Sequence, residues 1–531
     1  MPEYGNQQPG RREMLRNGLA SAASLAGATV FGKRGAEASP SRRPNVIIFH
    51  TDDQDFDTLS CYGYDVLTPH ADVLADGGIC FDRGYTTNGV CTASRYSLVT
   101  GMYPSRCTSE SFTNKYEGKM TEPSFNTHLD GGENTIASVM KSAGYATGFV
   151  GKWDLGGFKG KRKQYQRSKF WAPAWRRADD DVDPSDPKIS AILEKDHENM
   201  KQTIKTFGFD YAEAITNNPE SWGSRALNFH NPEWITDRAL NFITEEQDKP
   251  FFLYMNHTLH HIPHPQESLL IGDPRVTQGG YLDKAPDCMP SRREIFEHVK
   301  DEGFRPETAF ATWMDESLGA VLNRLGELSL TDDTLIIFFS DNNTHAKATI
   351  YEDGVHVPTM ARYPRMIKGG QRSSALIQNI DFAPTCFDLA GVTAPADMKL
   401  DGESAVPLFN GSADKIHDQL FFEIGWTRGC CTEDWKYIAL RWPEEMLKKR
   451  ASNGEFPWIY HSPALKPHQH KALLWHPAFL EEDQLYNMNT DRDEVVNQSL
   501  NPEFAGVLDD MKERTKVWLN TFDYPYAEFT S

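Results

Sequence analysis

The sequence predicts an α/β protein: a three-layer α/β/α sandwich around a large, mostly parallel sheet, with a smaller C-terminal α+β subdomain. Three observations predict this class. Continuous apolar runs, such as VIIF (46–49) and LIIFF (335–339), are typical of parallel strands buried on both faces. Segments with helical periodicity, such as residues 308–328, alternate with these runs. Polar residues follow the runs directly, at the strand ends where ligands bind in such sheets.

Chain length and charge limit the function classes. The 531 residues allow two or three domains, or one large α/β domain with a smaller one. A net charge of -20 argues against general nucleic-acid binding and favours a soluble protein. It leaves room for an anionic substrate, because a basic pocket can lie inside an acidic surface.

Residues 1–38 have the pattern of a twin-arginine export signal. Arg11 and Arg12 precede a mildly apolar run, and Ala36, Glu37 and Ala38 provide a small-residue cleavage site. The run is short and rich in Ala, Gly and Ser, so we expect no integral membrane segment. The alternative is a disordered basic tail. We therefore expect recognition by the twin-arginine export machinery and a periplasmic or extracellular location.

Four strands, taken in order, end in polar clusters. The first runs through residues 46–49 into His50, Thr51, Asp52 and Asp53. The second, GYATGFVGKW (144–153), ends at Lys152, and the third, in KPFFLYMNHTLHHIPH (249–264), enters a histidine-rich loop. The fourth, in DTLIIFFSDNN (333–343), ends at Asp341 and Asn342. Because parallel strands end at one edge of a sheet, we expect these clusters to converge.

The acidic pairs at two strand ends predict a metal site. Asp52, Asp53, Asp341 and Asn342 offer only oxygen ligands, which suit calcium or magnesium rather than zinc. Each pair alone would more often be a turn or a helix cap. Lys152 and Lys347 lie in loops beyond strands, and with a metal they would form a cradle for a tetrahedral oxyanion.

Cys91, in NGVCTASRYSLVTGMYPSR (88–106), lies at or just before a predicted helix N-terminus. The eight cysteines show no CxxC pair, so a zinc site is unexpected. Core filler, half of a disulfide, a thiolate nucleophile and a precursor of another group all remain open. Arg95 follows after three residues, whereas a tyrosine-type phosphatase needs five.

Together these motifs resemble the sulfatase family of the alkaline phosphatase superfamily. Cys91-Thr92-Ala93-Ser94-Arg95, followed by Leu98-Val99-Thr100-Gly101, is similar to the family hallmark. GYATGFVGKW, SDNN, KATIYEDGVHVP (347–358) and the tail from residue 483 resemble further family segments. The resemblance covers roughly residues 44–520 and implies an alkaline-phosphatase-like fold.

The resemblance also implies residue roles. A formylglycine-generating enzyme would oxidise Cys91 to formylglycine, whose hydrate supplies the nucleophile. One Ca²⁺ per chain would bind Asp52, Asp53, Asp341, Asn342 and the modified Cys91. Arg95 would orient the formylglycine, Lys152 and Lys347 would bind sulfate, and His261 would contact sulfate or protonate the leaving oxygen. Asp154 stands where the family usually has a histidine that takes a proton during sulfate release, and we predict that Asp154 does so here.

The substrate prediction depends on a basic segment. Residues 158–177 carry eight basic side chains, no acidic ones and five aromatic rings. A solvated loop is the plainer interpretation. The functional one is a grip on a sulfated polysaccharide or its oligosaccharides, with Arg162 and His260 as further substrate-binding residues.

We predict a catalytic domain over residues 44–410 and a C-terminal subdomain over 411–531. LFFEIGW, WKYIALRW and LDDMKERTKVWL predict a short antiparallel sheet with a packed helix. Two alternative functions remain open. One is a phosphodiesterase or phosphonate hydrolase of the same superfamily. The other is a catalytically weak sulfoglycan-binding protein, which the aspartate at position 154 favours.

Overall fold

The structure, a computed structural model, describes residues 43–156, 183–216, 228–261, 265–444, 447–448 and 472–526. The predicted export signal and the basic segment 158–177, with Arg162, lie outside these residues. Within the described ranges, no helix is both long and apolar enough to cross a membrane.

The strands of the described residues follow the order that the apolar runs predict. They are β1 Asn45–Asp52, β2 Ile79–Phe81, β3 Gly84–Tyr85, β4 Ala146–Lys152, β5 Tyr211–Thr216, β6 Phe251–His260, β7 Val276–Thr277, β8 Gly280–Tyr281, β9 Thr334–Ser340, β10 Thr359–Arg362, β11 Gln371–Ser373, β12 Ile377–Gln378, β13 Gln419–Ile424, β14 Thr427–Thr432, β15 Trp435–Leu440 and β16 Asp483–Asn487.

The α-helices fall mostly between these strands. They are α1 Pro69–Asp76, α2 Cys91–Thr100, α3 Glu110–Tyr116, α4 Ile136–Ser142, α5 Pro187–Lys205, α6 Pro232–Glu245, α7 Pro265–Ile271, α8 Arg292–Asp301, α9 Ala309–Glu327, α10 Glu352–Val355, α11 Phe382–Ala390, α12 Val406–Phe409 and α13 Ala505–Leu519.

The main sheet has eight strands in the order β11-β2-β10-β9-β1-β6-β4-β5. From β9 to β5 all neighbours are parallel, and β10 runs antiparallel between β9 and β2. The prediction of a mostly parallel sheet is confirmed. Because β1 lies at its centre, between β9 and β6, the carboxyl ends of these three strands meet at one edge.

Helices cover both faces of the sheet. Val46 and Ile48 of β1 pack on one face with α2, α4, α5 and α11. Ile47 and Phe49 pack on the other face with α1, α6 and α9. Each fully buried side chain of this kind stabilises the fold by about 1.5–3 kcal/mol. The three-layer sandwich is therefore confirmed, and its core fixes where the strands end.

A second sheet lies in the C-terminal part. Strands β13, β14, β15 and β16 form an antiparallel meander. Helix α13 packs against it through Met511, which contacts Cys430, Tyr437 and Leu485 in one apolar cluster. This is the predicted α+β subdomain; its boundary at residue 411 stays a prediction.

Candidate functional site

The ends of β1 and β9 bring the predicted acidic residues together. The two strands are parallel neighbours, with Thr51 opposite Ser340. The backbone N–H of Asp53 donates to Asp341 Oδ1 at 3.0 Å. Asp52 and Asp341 are fully buried, and Asp53 is 5% exposed. The apolar strands thus deliver three carboxylates to one buried point.

The chain turns at Asp53, directly after Asp52 ends β1. Asp53 has a φ of 56°, a left-handed conformation that costs a non-glycine residue about 1 kcal/mol or more. The turn is held because the N–H of Gln54 donates to Ser340 Oγ at 2.9 Å. This backbone strain occurs where the carboxylates of Asp52 and Asp53 converge on the same site.

Cys91 is the first residue of α2 and faces this acidic group. Its Sγ lies 3.4 Å from Asp52 Oδ1 and 3.6 Å from Asn342 Nδ2. One ligand atom from each of Asp52, Asp53, Cys91 and Asp341 lies within 4.8 Å of the others. We call the three carboxylates, Asp52, Asp53 and Asp341, the strand-end cluster.

The thiol of Cys91 is poorly suited to act as a thiolate. Burial, reinforced by the negative charge of Asp341, raises the pKa of Cys91 well above its usual value. Lys152 and Lys347 oppose this shift but do not reverse it. Among the roles that the sequence left open for Cys91, a thiolate nucleophile is therefore disfavoured.

Arg95 lies one helical turn beyond Cys91 and is fully buried. Its Nε and Nη2 donate to Asp341 Oδ2 at 3.1 Å and 2.9 Å, and its Nη1 donates to the carbonyl of Lys152 at 3.3 Å. One guanidinium thus fixes helix α2 to the ends of β9 and β4. The sequence resemblance predicted that Arg95 orients the modified residue 91. It did not predict the contact between Arg95 and Asp341.

Two buried lysines balance the strand-end cluster. Lys152 Nζ lies 2.6 Å from Asp52 Oδ2, and Lys347 Nζ lies 2.6 Å and 2.7 Å from the two carboxylate oxygens of Asp53. Burial alone would raise the pKa of both aspartates, but the lysines lower it below its usual value. Both aspartates are therefore anionic at neutral pH.

The residues fit a hard divalent cation. Asn342 donates through Nδ2 to Asp341 Oδ1 at 2.8 Å, while its buried Oδ1 accepts no hydrogen bond from the described residues. A buried amide oxygen without a donor is costly. Three converging carboxylates and this oxygen form the donor set that calcium and magnesium prefer.

Two adjacent histidines at the end of β6 have different surroundings. His261 Nε2 lies 3.7 Å from Asp53 Oδ2 and therefore borders the strand-end cluster. His260 instead packs edge-on against Phe310, with ring centroids 4.9 Å apart. Burial lowers the pKa of His260 to about 3, so this ring is neutral. A substrate contact for His260 stays a prediction.

Asp154 is held beside the residue that follows Cys91. Thr92 Oγ1 donates to Asp154 Oδ2 at 2.8 Å, and Asp154 has a left-handed φ of 52°. Unlike its neighbours it is partly exposed. Sequence reasoning singled out Asp154 but missed Thr92; the hydroxyl-rich stretch after Cys91 was the available signal.

Comparison with known proteins gives a consistent family. A model described as sulfatase matches residues 44–392, and one described as N-sulphoglucosamine sulphohydrolase, C-terminal, matches residues 341–445. An N-acetylgalactosamine-6-O-sulfatase of Bacteroides thetaiotaomicron is 26% identical, over 83% of this chain and 92% of the relative. An ulvan-active sulfatase of Formosa agariphila is 24% identical, over 90% and 80%.

A solved structure has the same fold. It is a protein in complex with its substrate D-glucosamine-2-N,6-O-disulfate, with a TM-score of 0.57 and 19% identity. The likeness covers 91% of this chain and 98% of that one.

Proposed function

The chain belongs to the sulfatase family and is a sulfuric ester hydrolase, and from that premise we propose the form of its reaction. It hydrolyses sulfate esters of a sulfated polysaccharide or its oligosaccharides. The reaction uses a formylglycine formed from Cys91 and one Ca²⁺. The relatives from Bacteroides and Formosa support the glycan, since their names specify an N-acetylgalactosamine sulfate and ulvan.

One observation carries the proposal. Cys91 Sγ shares a 4.8 Å space with oxygen atoms of Asp52, Asp53 and Asp341, and two buried lysines border that space. An anionic sulfate ester needs both positive charge and a nucleophile at its sulfur atom. Lys152 and Lys347 supply the positive charge, and position 91 supplies the nucleophile.

The residues that would hold Ca²⁺ are Asp52, Asp53, Asp341, Asn342 and the modified residue 91. Bound there, calcium supplies Lewis acidity that lowers the pKa of a hydroxyl at position 91. A hydrated formylglycine supplies two hydroxyls, one to attack sulfur and one whose deprotonation lets sulfate leave. A formylglycine-generating enzyme would carry out the oxidation of Cys91.

The side chains around residue 91 bind the ester and move its protons. Lys152 and Lys347 pair with sulfate oxygens and stabilise the charge that develops on them. As the new S–O bond forms and the ester S–O bond breaks, His261 gives a proton to the leaving sugar oxygen. Arg95 keeps helix α2 in register with Asp341, so the attacking oxygen stays aligned with sulfur.

Asp154 takes the proton that must be removed before sulfate departs. Its carboxylate lies at the N-terminus of α2, held by Thr92, and its partial exposure offers a path for the proton to solvent. A histidine normally has this task in the family, so the aspartate is the chain's own solution.

The twin-arginine signal and export also belong to this proposal, because a polysaccharide lies outside the cell.

The proposal is tested by sulfate release from defined sulfated oligosaccharides. Protein made together with a formylglycine-generating enzyme is incubated with chondroitin, ulvan and carrageenan oligosaccharides, and free sulfate is measured by ion chromatography. Peptide mass spectrometry reports the state of residue 91 in the same preparation. We expect sulfate release to scale with the aldehyde fraction. Full activity with an unmodified thiol, or faster hydrolysis of an aryl phosphate diester than of any sulfate, would contradict it.

A further inference from the structure

An exposed tryptophan, Trp475, lies near the loop that follows β9, where its ring neighbours His345. Trp475 ends a helical turn at residues 472–475, and its side chain is 42% exposed although Ala472 and His476 on either side are buried. An indole that remains half in water is an amphipathic surface available to a ligand.

The turn that carries Trp475 is firmly anchored. His476 stacks on Tyr351 with ring centroids 3.8 Å apart and parallel planes. The N–H of His476 donates to the carbonyl of Ala472 at 2.8 Å. The backbone that carries the indole is therefore fixed before any ligand arrives, which lowers the entropic cost of binding.

Trp475 is also connected to the predicted metal ligands. Its ring lies 6.0 Å from the ring of His345, centroid to centroid. His345 Nδ1 contacts Asn343 Oδ1 at 3.1 Å and Asp55 Oδ2 at 3.4 Å. Two residues separate His345 from Asn342, so their Cα atoms are at most roughly 11 Å apart. The two rings therefore lie next to each other, and the loop after β9 that carries His345 also carries Asn342.

We propose that Trp475, supported by His345, is the stacking platform for a sugar ring of the sulfated glycan, outside the sulfate pocket. This inference rests on the proposed function, because Lys347, which would hold the sulfate, follows His345 by two residues in the same loop. An uncharged ring suits the apolar face of a sugar. Asp55 lies 3.4 Å from His345, so any positive charge on this imidazole is balanced by a carboxylate and is not left for a further sulfate. We expect this platform to strengthen the binding of longer oligosaccharides and not to add affinity for a second sulfate group.

The test compares Trp475→Ala, Trp475→Phe and the matched control Leu474→Ala, which removes the neighbouring side chain that is 79% exposed. The substrate is the sulfated tetrasaccharide that the native enzyme hydrolyses fastest. We expect Trp475→Ala to raise KM about three- to tenfold, the size of an aromatic stacking contact. Trp475→Phe should restore most of the loss, and Leu474→Ala should match the native enzyme. Competitive inhibition by inorganic sulfate, which has no ring, should be the same in all four proteins.

Binding without turnover separates this inference from the proposed function. Calorimetry on the Cys91→Ala protein, with and without Trp475→Ala, uses chondroitin, ulvan and carrageenan tetrasaccharides, whether or not they are hydrolysed, and inorganic sulfate. Weaker tetrasaccharide binding with unchanged sulfate binding supports the platform even if no sulfate is ever released. The proposal is wrong if Trp475→Ala binds both ligands as the parent does, weakens both equally, or is matched by Leu474→Ala. A native enzyme that releases no sulfate would contradict only the proposed function.

Discussion

The protein buries two groups of acidic residues, and they are neutralised in different ways. In the strand-end cluster, three carboxylates face Cys91, and Lys152, Lys347 and Arg95 provide three cations. In the second group, which we call the Lys436 cluster, the ammonium of Lys436 lies 3.0 Å from both Glu352 and Glu494. In the first group each carboxylate has its own buried cation. In the second group the buried Lys436 is shared between two carboxylates, and the further cation, Arg492, is partly exposed and lies 3.4 Å from Glu352.

The pKa values follow this difference. Burial and the nearby charge of Glu352 raise the pKa of Glu494 to about 8, although Lys436 opposes the shift. In the strand-end cluster the pKa values of Asp52 and Asp53 are lowered instead. A proton neutralises Glu494, so the Lys436 cluster can join α10 to β15 without a metal. Burial of carboxylates alone does not make a catalytic site; convergence of charged oxygens beside a nucleophile does.

Removal of the reacting group should separate the two regions most clearly. We expect Cys91→Ala to lower kcat by about ten-thousandfold or more, because the covalent nucleophile is lost. Sulfate release and the thermal midpoint are measured on the same preparations. The midpoint should change little, since one buried sulfur atom is removed.

Cys431→Ala is the matched control beside the Lys436 cluster, because Cys431 of β14 is the cross-strand partner of Lys436. Cys431 is equally buried and lies 3.9 Å from Nη2 of Arg83. This variant should keep native kcat and lose only about 1 kcal/mol of stability. Equal loss of activity in both variants would mean that Cys91 matters for packing rather than chemistry.

The second prediction concerns the metal. Asp341→Asn should lose both bound calcium, measured by mass spectrometry of the metal, and about a thousandfold in kcat. Chelation of the native enzyme should have the same effect, and calcium should restore activity better than zinc because the ligands are hard oxygens. Glu494→Gln, the equivalent change in the Lys436 cluster, should retain metal and activity. Full activity of a verified metal-free native enzyme would refute the calcium role.

Sequence reasoning located the strand-end cluster because its signal is local. Uninterrupted apolar strands make their own ends visible, so Asp52 and Asp341 stand out at the change to polar residues. Lys347 has no such strand-end pattern; its position in a loop beyond a strand was the only sequence signal before the family resemblance assigned it to sulfate binding. The sandwich and the C-terminal meander were predicted for the same reason: alternation of apolar runs and helical segments is readable along the chain.

Contacts between distant segments could not be predicted. Thr92 and Asp154 are 62 positions apart, and Lys436 lies 84 positions from Glu352. Nothing in either segment specifies its partner, because the pairing is set by how the helices and sheets pack. The adjacent residues His260 and His261 show the same limit. His260 packs against Phe310 of α9, and His261 lies beside Asp53, which follows β1. The sequence does not show where these neighbours lie in the fold.

The third prediction distinguishes a base from a structural aspartate. If Asp154 removes the proton that precedes sulfate release, Asp154→Asn should give a burst of free sugar alcohol and then a steady rate about a hundredfold slower or more. Asp154→His, with the residue usual in the family, should retain or raise turnover. Rapid-quench measurements resolve both phases. If Asp154→Asn equals the native enzyme in both, Asp154 only supports Thr92.

The last prediction concerns Glu494 of the Lys436 cluster and has the smallest expected effect. It changes the pH dependence of the free energy of unfolding and leaves activity unchanged. Since the pKa of Glu494 is raised on folding, the folded state holds a proton that the unfolded chain has released above about pH 4.5. The free energy of unfolding should therefore fall as pH rises from about 5 towards 8, by at most about 1.4 kcal/mol per pH unit from this residue. Glu494→Gln carries no such proton, and its urea midpoint should fall less over this range while kcat stays native. An equal slope in both proteins would mean that Glu494 is anionic beside Lys436. The two clusters would then differ only in geometry, because both would hold their carboxylates charged.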